Sequence, residues 1–296
     1  MDPLARRFLP CSALEEAAFG RLAGVALEGL WVAGSLAGLA APTIAVVGTR
    51  APSEAGRRLA YDLGRELGAA GVCVLSGLAL GIDGAAHAGA LAVGAPTIGV
   101  LGGGHGHFFP ARNRELADRM ILGGGAVVSP FAPDEPARPY QFLQRNGIVA
   151  ALADAVVVVE AAARSGALNT ASWAADRSIP VLAFPGDVDR PKVAGCHALI
   201  RDGAILARDV RDVLAALPGF RAPVLPLRTA TRPVVRTDDP PVFRLVLGAL
   251  VDGERSAETL AATLGLPPAL VLPALAELEA DGRVARAAGG FVRAAP

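Results

Sequence analysis

The chain has 296 residues, of which 52% are hydrophobic and 19% charged, and this composition excludes a protein that is mostly disordered. Since a domain usually has about 100–200 residues, a chain of this length predicts two domains. The 28 basic and 28 acidic residues give a formal net charge of zero, so no overall field attracts polyanions. A nucleic-acid site would therefore need a local concentration of basic side chains.

Residues 1–42 carry apolar side chains at helical spacing, around positions 14–27, and predict a short N-terminal helical segment. The first ten residues lack the long apolar run of a signal peptide. The apolar stretch 29–47 is interrupted by two glycines and a proline, which favours turns over a membrane span. We therefore expect a soluble, cytoplasmic protein with no membrane span.

Residues 43–217 repeat one pattern, in which a short apolar run is followed by a turn of small residues and a helical stretch. Such uninterrupted apolar runs are typical of parallel strands that are covered on both faces. The pattern predicts an α/β fold, a doubly wound and mostly parallel Rossmann-like sheet. The predicted strands are residues 43–47, 72–75, 97–101, 126–128, 155–159 and 180–184.

Residues 218–241 contain six prolines and four arginines without periodicity, which predicts an extended linker. Residues 242–296 predict three helices, at 242–251, 256–264 and 268–281, and then a β-wing at 283–293. This order indicates a winged helix-turn-helix domain. The third helix carries Glu277, Glu279 and Asp281 and no basic residue, which favours protein interaction or dimer adjustment over duplex DNA binding. Wing contacts to DNA, through Arg283, Arg286 and Arg293, are the alternative.

Small residues follow each predicted strand, where the carboxyl ends of the strands meet at one edge of the sheet. Backbone N–H groups in such turns can approach an anion, and together they predict a phosphate-lined cleft. The turns are residues 48–50, 76–77, 102–104, 129–130, 165–166 and 185–186. Neither a dinucleotide-binding glycine fingerprint nor a P-loop is present, and the only lysine is Lys192. An NAD enzyme and a P-loop ATPase are thus disfavoured.

The candidate catalytic residues are few. His105 and His107 lack a third metal ligand at recognisable spacing, and His87 lies four residues after Asp83, so that a local hydrogen bond between these two is expected. Glu160 ends a strand and could be a general base or a structural carboxylate that pairs with Arg164. We expect no catalytic residue, no metal and no cofactor.

Arginines and aromatic residues occur together in two stretches. Phosphates of flexible single strands bind cations, and their bases stack on aromatic rings. The two sets are Phe108, Phe109, Tyr140 and Phe142, and Arg112, Arg114, Arg138 and Arg145.

These residues lie within a series of motifs that resembles the DprA/Smf family, the DNA-processing proteins of natural transformation. The motifs occupy residues 30–50, 75–91, 97–116, 142–171 and 181–204 in family order, and the C-terminal module resembles the winged-helix appendage of some members. The resemblance implies an extended Rossmann-like domain that forms a homodimer and binds single-stranded DNA without sequence preference. It also implies delivery of that DNA to the recombinase RecA, without catalytic turnover.

The resemblance also assigns roles to individual residues. Arg50, in the turn Gly48-Thr49-Arg50, would hold a phosphate, and Phe142 would stack on a base. Arg145 and Asn146 would hold the adjacent backbone, and the N–H groups of the Ser165-Gly166 turn would face phosphate. Gly147 replaces an arginine of the family pattern, and Arg138 is the nearest substitute for a missing lysine. We expect one groove to contain these arginines: Arg50, Arg112, Arg138, Arg145 and Arg164.

Two other functions remain open at this stage. A Rossmann-like nucleotide hydrolase or phosphoribohydrolase would use Glu160 near the glycine turns, although the glycines and Glu160 follow different strands. A nucleotide-sensing scaffold would bind a mononucleotide and no DNA.

Overall fold

The structure is a computed structural model that describes residues 4–18, 20–217, 239–250, 255–287 and 290–293. The chain forms two units, Met1–Pro223 and Val224–Pro296, and each is described by itself. Most of the predicted linker, at 218–238, lies outside the described residues.

The first unit contains a nine-stranded sheet in the order β1-β2-β6-β5-β4-β3-β7-β8-β9. Neighbouring strands from β6 to β9 in this order are parallel, whereas β2 pairs antiparallel with both β1 and β6. The strands are β1 (Arg6–Pro10), β2 (Gly29–Gly34), β3 (Thr43–Val47), β4 (Cys73–Ser76), β5 (Thr97–Val100), β6 (Ala126–Ser129), β7 (Ala155–Val158), β8 (Val181–Ala183) and β9 (Ile205–Leu206).

Eight helices accompany this sheet in the described part of the first unit. They are α1 (Cys11–Ala17), α2 (Glu54–Ala69), α3 (Ile82–Ala92), α4 (Arg114–Leu122), α5 (Pro139–Leu152), α6 (Gly166–Asp176), α7 (Ala194–Arg201) and α8 (Val210–Ala215). The helix α2 packs on α3, and α5 packs on α6. The central strands β3 to β7 are buried at every position, as their uninterrupted apolar sequences predict.

The order of the strands positions the site. From β3 the chain proceeds outward to β4, β5 and β6, and then α5 returns it to β7 on the other side of β3. Since such crossovers are right-handed, the reversal places α2 and α3 on one face of the sheet and α5 and α6 on the other. The switch point between β3 and β7 is where a doubly wound sheet binds its ligands. The predicted α/β, doubly wound fold is confirmed.

The N-terminal segment contains a helix, α1, that covers only the first part of the predicted helical stretch 14–27, and two strands that the sequence did not predict. The strand β1 is short, and most of its side chains are exposed. Its Phe8 ring contacts the Trp31 ring of β2 at 5.4 Å between centroids. An exposed edge strand lacks the continuous apolar run that identified the central strands, which explains why the pattern concealed it.

The second unit contains three helices, α9 (Pro241–Ala249), α10 (Ala257–Leu264) and α11 (Pro268–Ala280). An antiparallel hairpin of β10 (Val284–Ala287) and β11 (Gly290–Arg293) follows. Ser256 caps α10 by accepting the Thr259 N–H at 3.1 Å, and Gly265 ends it with a φ of 63°. These are the helices and the wing that the sequence predicted. Across the described residues of both units, the helices lack the combination of length and apolarity that a membrane crossing requires.

Two of the wing arginines bind carboxylates of their own unit. Arg283 donates two hydrogen bonds to Asp239, at 2.8 and 2.5 Å, and both side chains are largely buried. Arg286 donates to Glu279 at 3.2 Å and lies over the Phe291 ring. These pairs give the arginines structural partners, which weakens the alternative in which they contact DNA. The side chain of Arg293 lies outside the described residues.

Candidate functional site

A cleft of about 470 Å³ opens at the carboxyl ends of β3 and β4, against the N-terminal parts of α5 and α6. This is the ligand-binding edge that the topology predicts. Seven of the ten residues that the sequence assigned to DNA binding line it: Gly48, Arg50, Phe142, Arg145, Asn146, Ser165 and Gly166. We refer to it as the main cleft.

A cation and an aromatic ring lie together in this cleft. The Arg50 guanidinium carbon is 5.3 Å from the centroid of the Phe142 ring, and the Phe109 ring meets Phe142 edge-on at 5.9 Å. The Phe142 ring packs directly on Gly102, where a Cβ would lie only 2.5 Å from the ring. Phe109 is 53% exposed and therefore faces solvent.

Arg145 differs from Arg50 in that its side chain is only 4% exposed. Its Nη1 donates to the carbonyl oxygen of Val100, at the end of β5, at 3.0 Å, while its Nε has no hydrogen-bond partner. Burial is the main cause that lowers its pKa, to about 10, and the nearby Asp83 carboxylate counteracts it. Arg145 therefore lines the cleft as a largely buried cation, and the role in holding the DNA backbone that the resemblance implies for it remains a prediction.

The turn after β4 already holds a carboxylate. Asp83 accepts hydrogen bonds from the N–H groups of Gly77 and Ala79, at 3.1 and 3.4 Å. Burial raises the pKa of this carboxyl, and the charge of Arg145 opposes that shift. The prediction that this turn offers its N–H groups to a ligand phosphate is therefore wrong, because Asp83 occupies them.

A second internal carboxylate, Glu160, holds the start of α2. It accepts from the backbone N–H of Ser53 at 2.9 Å and from its hydroxyl at 3.3 Å. The Glu160 carboxylate lies so close to Gly56 that a Cβ at residue 56 would clash with it, and Glu160 is buried. Glu160 does not line the main cleft, and its partner is Ser53 rather than Arg164. Glu160 is therefore not placed to act as the base that the hydrolase alternative assigned to it.

The N-terminus of α6 does open onto the main cleft. The Ser165 hydroxyl caps it by accepting the Ala167 N–H at 3.3 Å, and no atom lies within 4 Å of a Cβ placed on Gly166. Asn146 Nδ2 donates to the carbonyl oxygen of Gly166 and to Asn169 Oδ1, both at 3.2 Å, and so connects α5 to this turn. A helix start carries about half a positive charge, which favours an anion here.

The other assigned residues do not line the main cleft. Thr49 contributes backbone contacts, as its N–H donates to the carbonyl oxygen of Glu160 at 2.7 Å. Arg112, Arg138 and Arg164 are exposed and lie outside the cleft lining. The prediction that five arginines share one groove is therefore wrong, and only Arg50 and Arg145 meet there. Arg112 belongs to the short turn before α4 and Arg138 precedes α5, where the backbone directs each side chain to solvent.

Two of the four histidines, His87 and His105, are buried in the core. His87 Nδ1 is 2.7 Å from the Thr97 hydroxyl, so the expected bond between His87 and Asp83 does not form. Burial lowers the pKa of His87 to about 3. His105 Nε2 lies 3.0 Å from the carbonyl oxygen of Val127, and burial lowers its pKa too. Within the described ranges, no group of three potential metal ligands comes together.

The sequence placed Gly77 and Gly102 in turns of the predicted cleft but did not show which side chains they accommodate, and it did not identify Asp83 as part of the site. The two glycines act through close approaches to Arg145 and Phe142, which are far away in the chain, and a sequence pattern does not show such contacts. Gly77 and Gly102 belong to turns that were recognised as glycine-rich, but these glycines accommodate protein side chains. The sequence feature that could have indicated these close contacts is the glycine at each position, because a glycine can leave space for a neighbouring side chain.

Comparison with known proteins shows which family has this architecture. The family described as DNA recombination-mediator protein A matches residues 25–218, and the DprA winged helix domain matches residues 230–290. Protein Smf of Escherichia coli is 39% identical over 266 residues, which are 89% of this chain and 71% of that protein. A putative DNA processing protein DprA of Mycobacterium tuberculosis is 40% identical over 258 residues, 86% of this chain and 65% of that one.

Two solved structures are similar in fold and in sequence. DNA processing protein A from Streptococcus pneumoniae superposes with a TM-score of 0.60 at 39% identity and covers 64% of this chain and 66% of its own. The protein of that name from Helicobacter pylori, described with a unique single-stranded DNA binding mode, has a TM-score of 0.61 at 26% identity and covers 72% and 96%. Since the first family match extends over more than half of the residues, the chain belongs to the DprA/Smf family of DNA-processing proteins.

Proposed function

We propose that this chain binds single-stranded DNA in the main cleft, without sequence preference, and delivers it to the RecA recombinase during DNA uptake. The observation that carries the proposal is the pair of Arg50 and Phe142, a guanidinium 5.3 Å from the centre of a ring at the ligand-binding edge of the sheet. One group suits a phosphate and the other suits a base, the two parts that every nucleotide has.

The contacts of this pair suggest how binding proceeds. In the free protein the guanidinium of Arg50 rests over the ring of Phe142, where a planar base can also stack. An entering nucleotide would place its base on the ring, and Arg50 would move to the adjacent phosphate. The α6 N-terminus at Gly166 would receive the next part of the backbone, and Asn146 would hold this turn in place through its two hydrogen bonds to Gly166 and Asn169. The buried charge of Arg145 would stabilise the anion from beneath.

The absence of a sequence preference follows from what these groups contact. Arg50 and the α6 N-terminus bind phosphate, and Phe142 and Phe109 offer ring faces or edges. All four bases share those features, so the binding energy depends little on base identity. Arg112 and Arg138 are exposed outside the cleft and would add a long-range attraction for the strand.

The relatives support the same assignment. The Helicobacter pylori protein is described as binding single-stranded DNA, and the fold of this chain superposes on it. Family membership supports the further steps of the proposal, namely a homodimer and transfer of the strand to RecA in the cytoplasm. This role needs no catalytic residue, metal or cofactor.

The DNA-binding part is tested with fluorescence anisotropy. Labelled oligothymidylate and a duplex of equal length are titrated with the full chain at two salt concentrations. We expect tighter binding of the single strand at both concentrations, with weaker binding at higher salt because phosphate contacts release counterions. Equal affinity for the two DNAs, or no binding of either, would contradict the proposal.

The delivery part needs a separate measurement. Assembly of RecA on the oligothymidylate is followed in the presence of the wild-type chain and of the Arg50→Ala variant. We expect the wild type to accelerate assembly and the variant to lose most of this effect. If both proteins leave the RecA rate unchanged, the chain binds DNA for another purpose. Sedimentation of the free chain measures its oligomeric state independently.

A further inference from the structure

A second groove, of about 670 Å³, lies in the first unit beside the main cleft. Its lining includes four aromatic rings: Phe8, Trp31, Phe131 and Trp173. The sequence contains two tryptophans, and both are in this groove. Trp173 is 43% exposed and Phe8 44% exposed, so their rings are available to a ligand. We refer to this feature as the aromatic groove.

The aromatic groove continues from the main cleft across α5. Leu143 and Asn146 line the cleft, and the residues that follow each of them, Gln144 and Gly147, line the groove. One helix therefore separates the two sites. On α6 the cleft residue Thr170 precedes the groove residue Trp173 by one turn, and Trp173 lies about 10 Å along the helix axis from Gly166.

Gly147 places no side chain on α5 at the point where the helix separates the two sites. It has no side chain, and a Cβ placed there would lie 3.4 Å from the Trp173 ring. The tryptophan ring therefore covers the helix backbone at this point. The surface between the cleft and the groove is here a flat ring rather than a ridge of side chains. Arg177 holds the loop that contains Arg21 and Ala23 against the groove. Its Nη2 donates to the carbonyl oxygens of Ala23 and Arg21, at 2.6 and 3.3 Å.

We propose that the aromatic groove is a second subsite for the same DNA strand, which leaves the main cleft across α5, where Trp173 covers Gly147, and places bases against that ring. This inference rests on the proposed function. Nucleobases are flat and apolar on their faces, and each gains stabilisation by stacking on an aromatic side chain. Glu28 and Arg177 are the charged residues of the lining, so the groove suits bases while their phosphates remain in solvent. Its continuity with the cleft favours the strand over a separate protein partner.

The two tryptophans make the inference directly measurable. In the Trp31→Phe variant, Trp173 is the one remaining tryptophan, and its fluorescence reports on this groove alone. Oligothymidylates of about four and about twelve nucleotides are titrated, the shorter to fill the cleft and the longer to reach the groove. We expect the longer strand to quench Trp173 and the shorter strand to bind with little quenching.

Substitutions give the complementary test. Trp173→Ala should weaken binding of the longer strand at least about fivefold and leave the shorter strand unaffected, while Trp173→Phe keeps a ring and most of the affinity. Tyr61→Ala is the matched control, since it removes a similarly exposed ring on α2, outside both sites. Wild-type affinity for both lengths is expected for it.

Two results would overturn the inference, and they can be told apart. If anisotropy shows that the longer strand binds while Trp173 fluorescence and the Trp173→Ala affinity remain unchanged, DNA does not enter the groove and the main cleft stands alone. If neither length binds in the anisotropy assay, the proposed function fails together with this inference.

Discussion

The guanidinium of Arg145 lies against the backbone of Gly77, in the space that a side chain at residue 77 would need. Through its hydrogen bond to the carbonyl oxygen of Val100, the same guanidinium connects α5 with the end of β5. Phe142 precedes Arg145 by three residues on α5 and therefore projects from nearly the same side of the helix. The buried contact thus fixes the helix that presents the ring in the cleft.

Gly77→Ala should consequently destabilise the protein. The added methyl group has no space, so that either Arg145 loses its bond to Val100 or the turn after β4 moves. We expect the free energy of unfolding to fall by about 2–4 kcal/mol, combining overpacking with a lost buried hydrogen bond. Urea denaturation followed by circular dichroism measures it.

Gly166→Ala is the control for this substitution, because no atom lies within 4 Å of the new Cβ. Its unfolding free energy should remain within about 0.5 kcal/mol of the wild type. An equal loss in both variants would show that the close approach at Gly77 is not the cause.

Much of the sheet could be predicted from the sequence because its central strands are buried on both faces. The runs at 43–47 and 155–159 contain only apolar residues apart from Thr43, and the structure forms strands at Thr43–Val47 and Ala155–Val158. The edge strand β1 has an exposed face, and its pattern is too weak to stand out. Local patterns therefore identify the central parallel strands and miss the edge strand β1, and they also miss the buried strand β2, whose glycines favoured turns.

The sequence could predict those parts of the site that follow from the residue type and the turn that carries it. It could not predict contacts in which one residue leaves space for a side chain far away in the chain. Arg50, Phe142 and the Ser165-Gly166 turn line the cleft, as expected. The sequence did not show that Arg145 is buried, because the space for its side chain depends on Gly77, 68 positions earlier in the numbering. A residue type and its spacing do not encode such a contact.

Arg50→Ala should weaken binding of single-stranded DNA by about 1–3 kcal/mol, the usual loss for a charge-assisted hydrogen bond. Arg50→Lys should recover only part of it, since an ammonium group keeps the charge but lacks the planar group that stacks on Phe142. Anisotropy with labelled oligothymidylate measures both variants. Arg119→Ala, at an exposed arginine of α4 outside the cleft lining, should bind like the wild type. Unchanged affinity of Arg50→Ala would remove this arginine from the site.

Arg138→Ala should have a smaller effect that salt removes. The side chain is exposed and does not line the cleft, so it acts on the strand at a distance. We expect a loss of less than about 1 kcal/mol at low salt, and none at about 1 M salt, where the screening length falls to about 3 Å. A salt series of binding curves measures this. A loss that persists at high salt would instead show a direct contact between Arg138 and DNA.

His87 should make the stability of the first unit depend on pH. The Thr97 hydroxyl donates to the carbonyl oxygen of Val74 at 2.6 Å, so it accepts the His87 Nδ1–H, and the ring is neutral. A second proton would have to bind at Nε2, which is buried and has no hydrogen-bond partner. Burial accordingly lowers the pKa of His87 from 6.5 to about 3, and the charge of Arg145 adds to the shift.

The sign follows from proton counting. Below about pH 6.5 the unfolded chain takes up a proton on His87, whereas the folded chain does so only near pH 3. The unfolded state binds more protons within this window, so the stabilisation is complete above pH 6.5 and declines as the pH falls. The contribution of His87 is at most about 1.4 kcal/mol per pH unit.

The His87→Gln variant isolates this contribution. Urea denaturation of the variant and the wild type at several pH values, from about 7 to about 4, gives two slopes of unfolding free energy against pH. Other buried groups that titrate in this range, such as His105 and Asp83, are present in both proteins and cancel in the difference. We expect a slope that is smaller in the variant by up to one proton. Parallel curves would show that the imidazole of His87 is protonated as readily in the folded protein as in the unfolded chain.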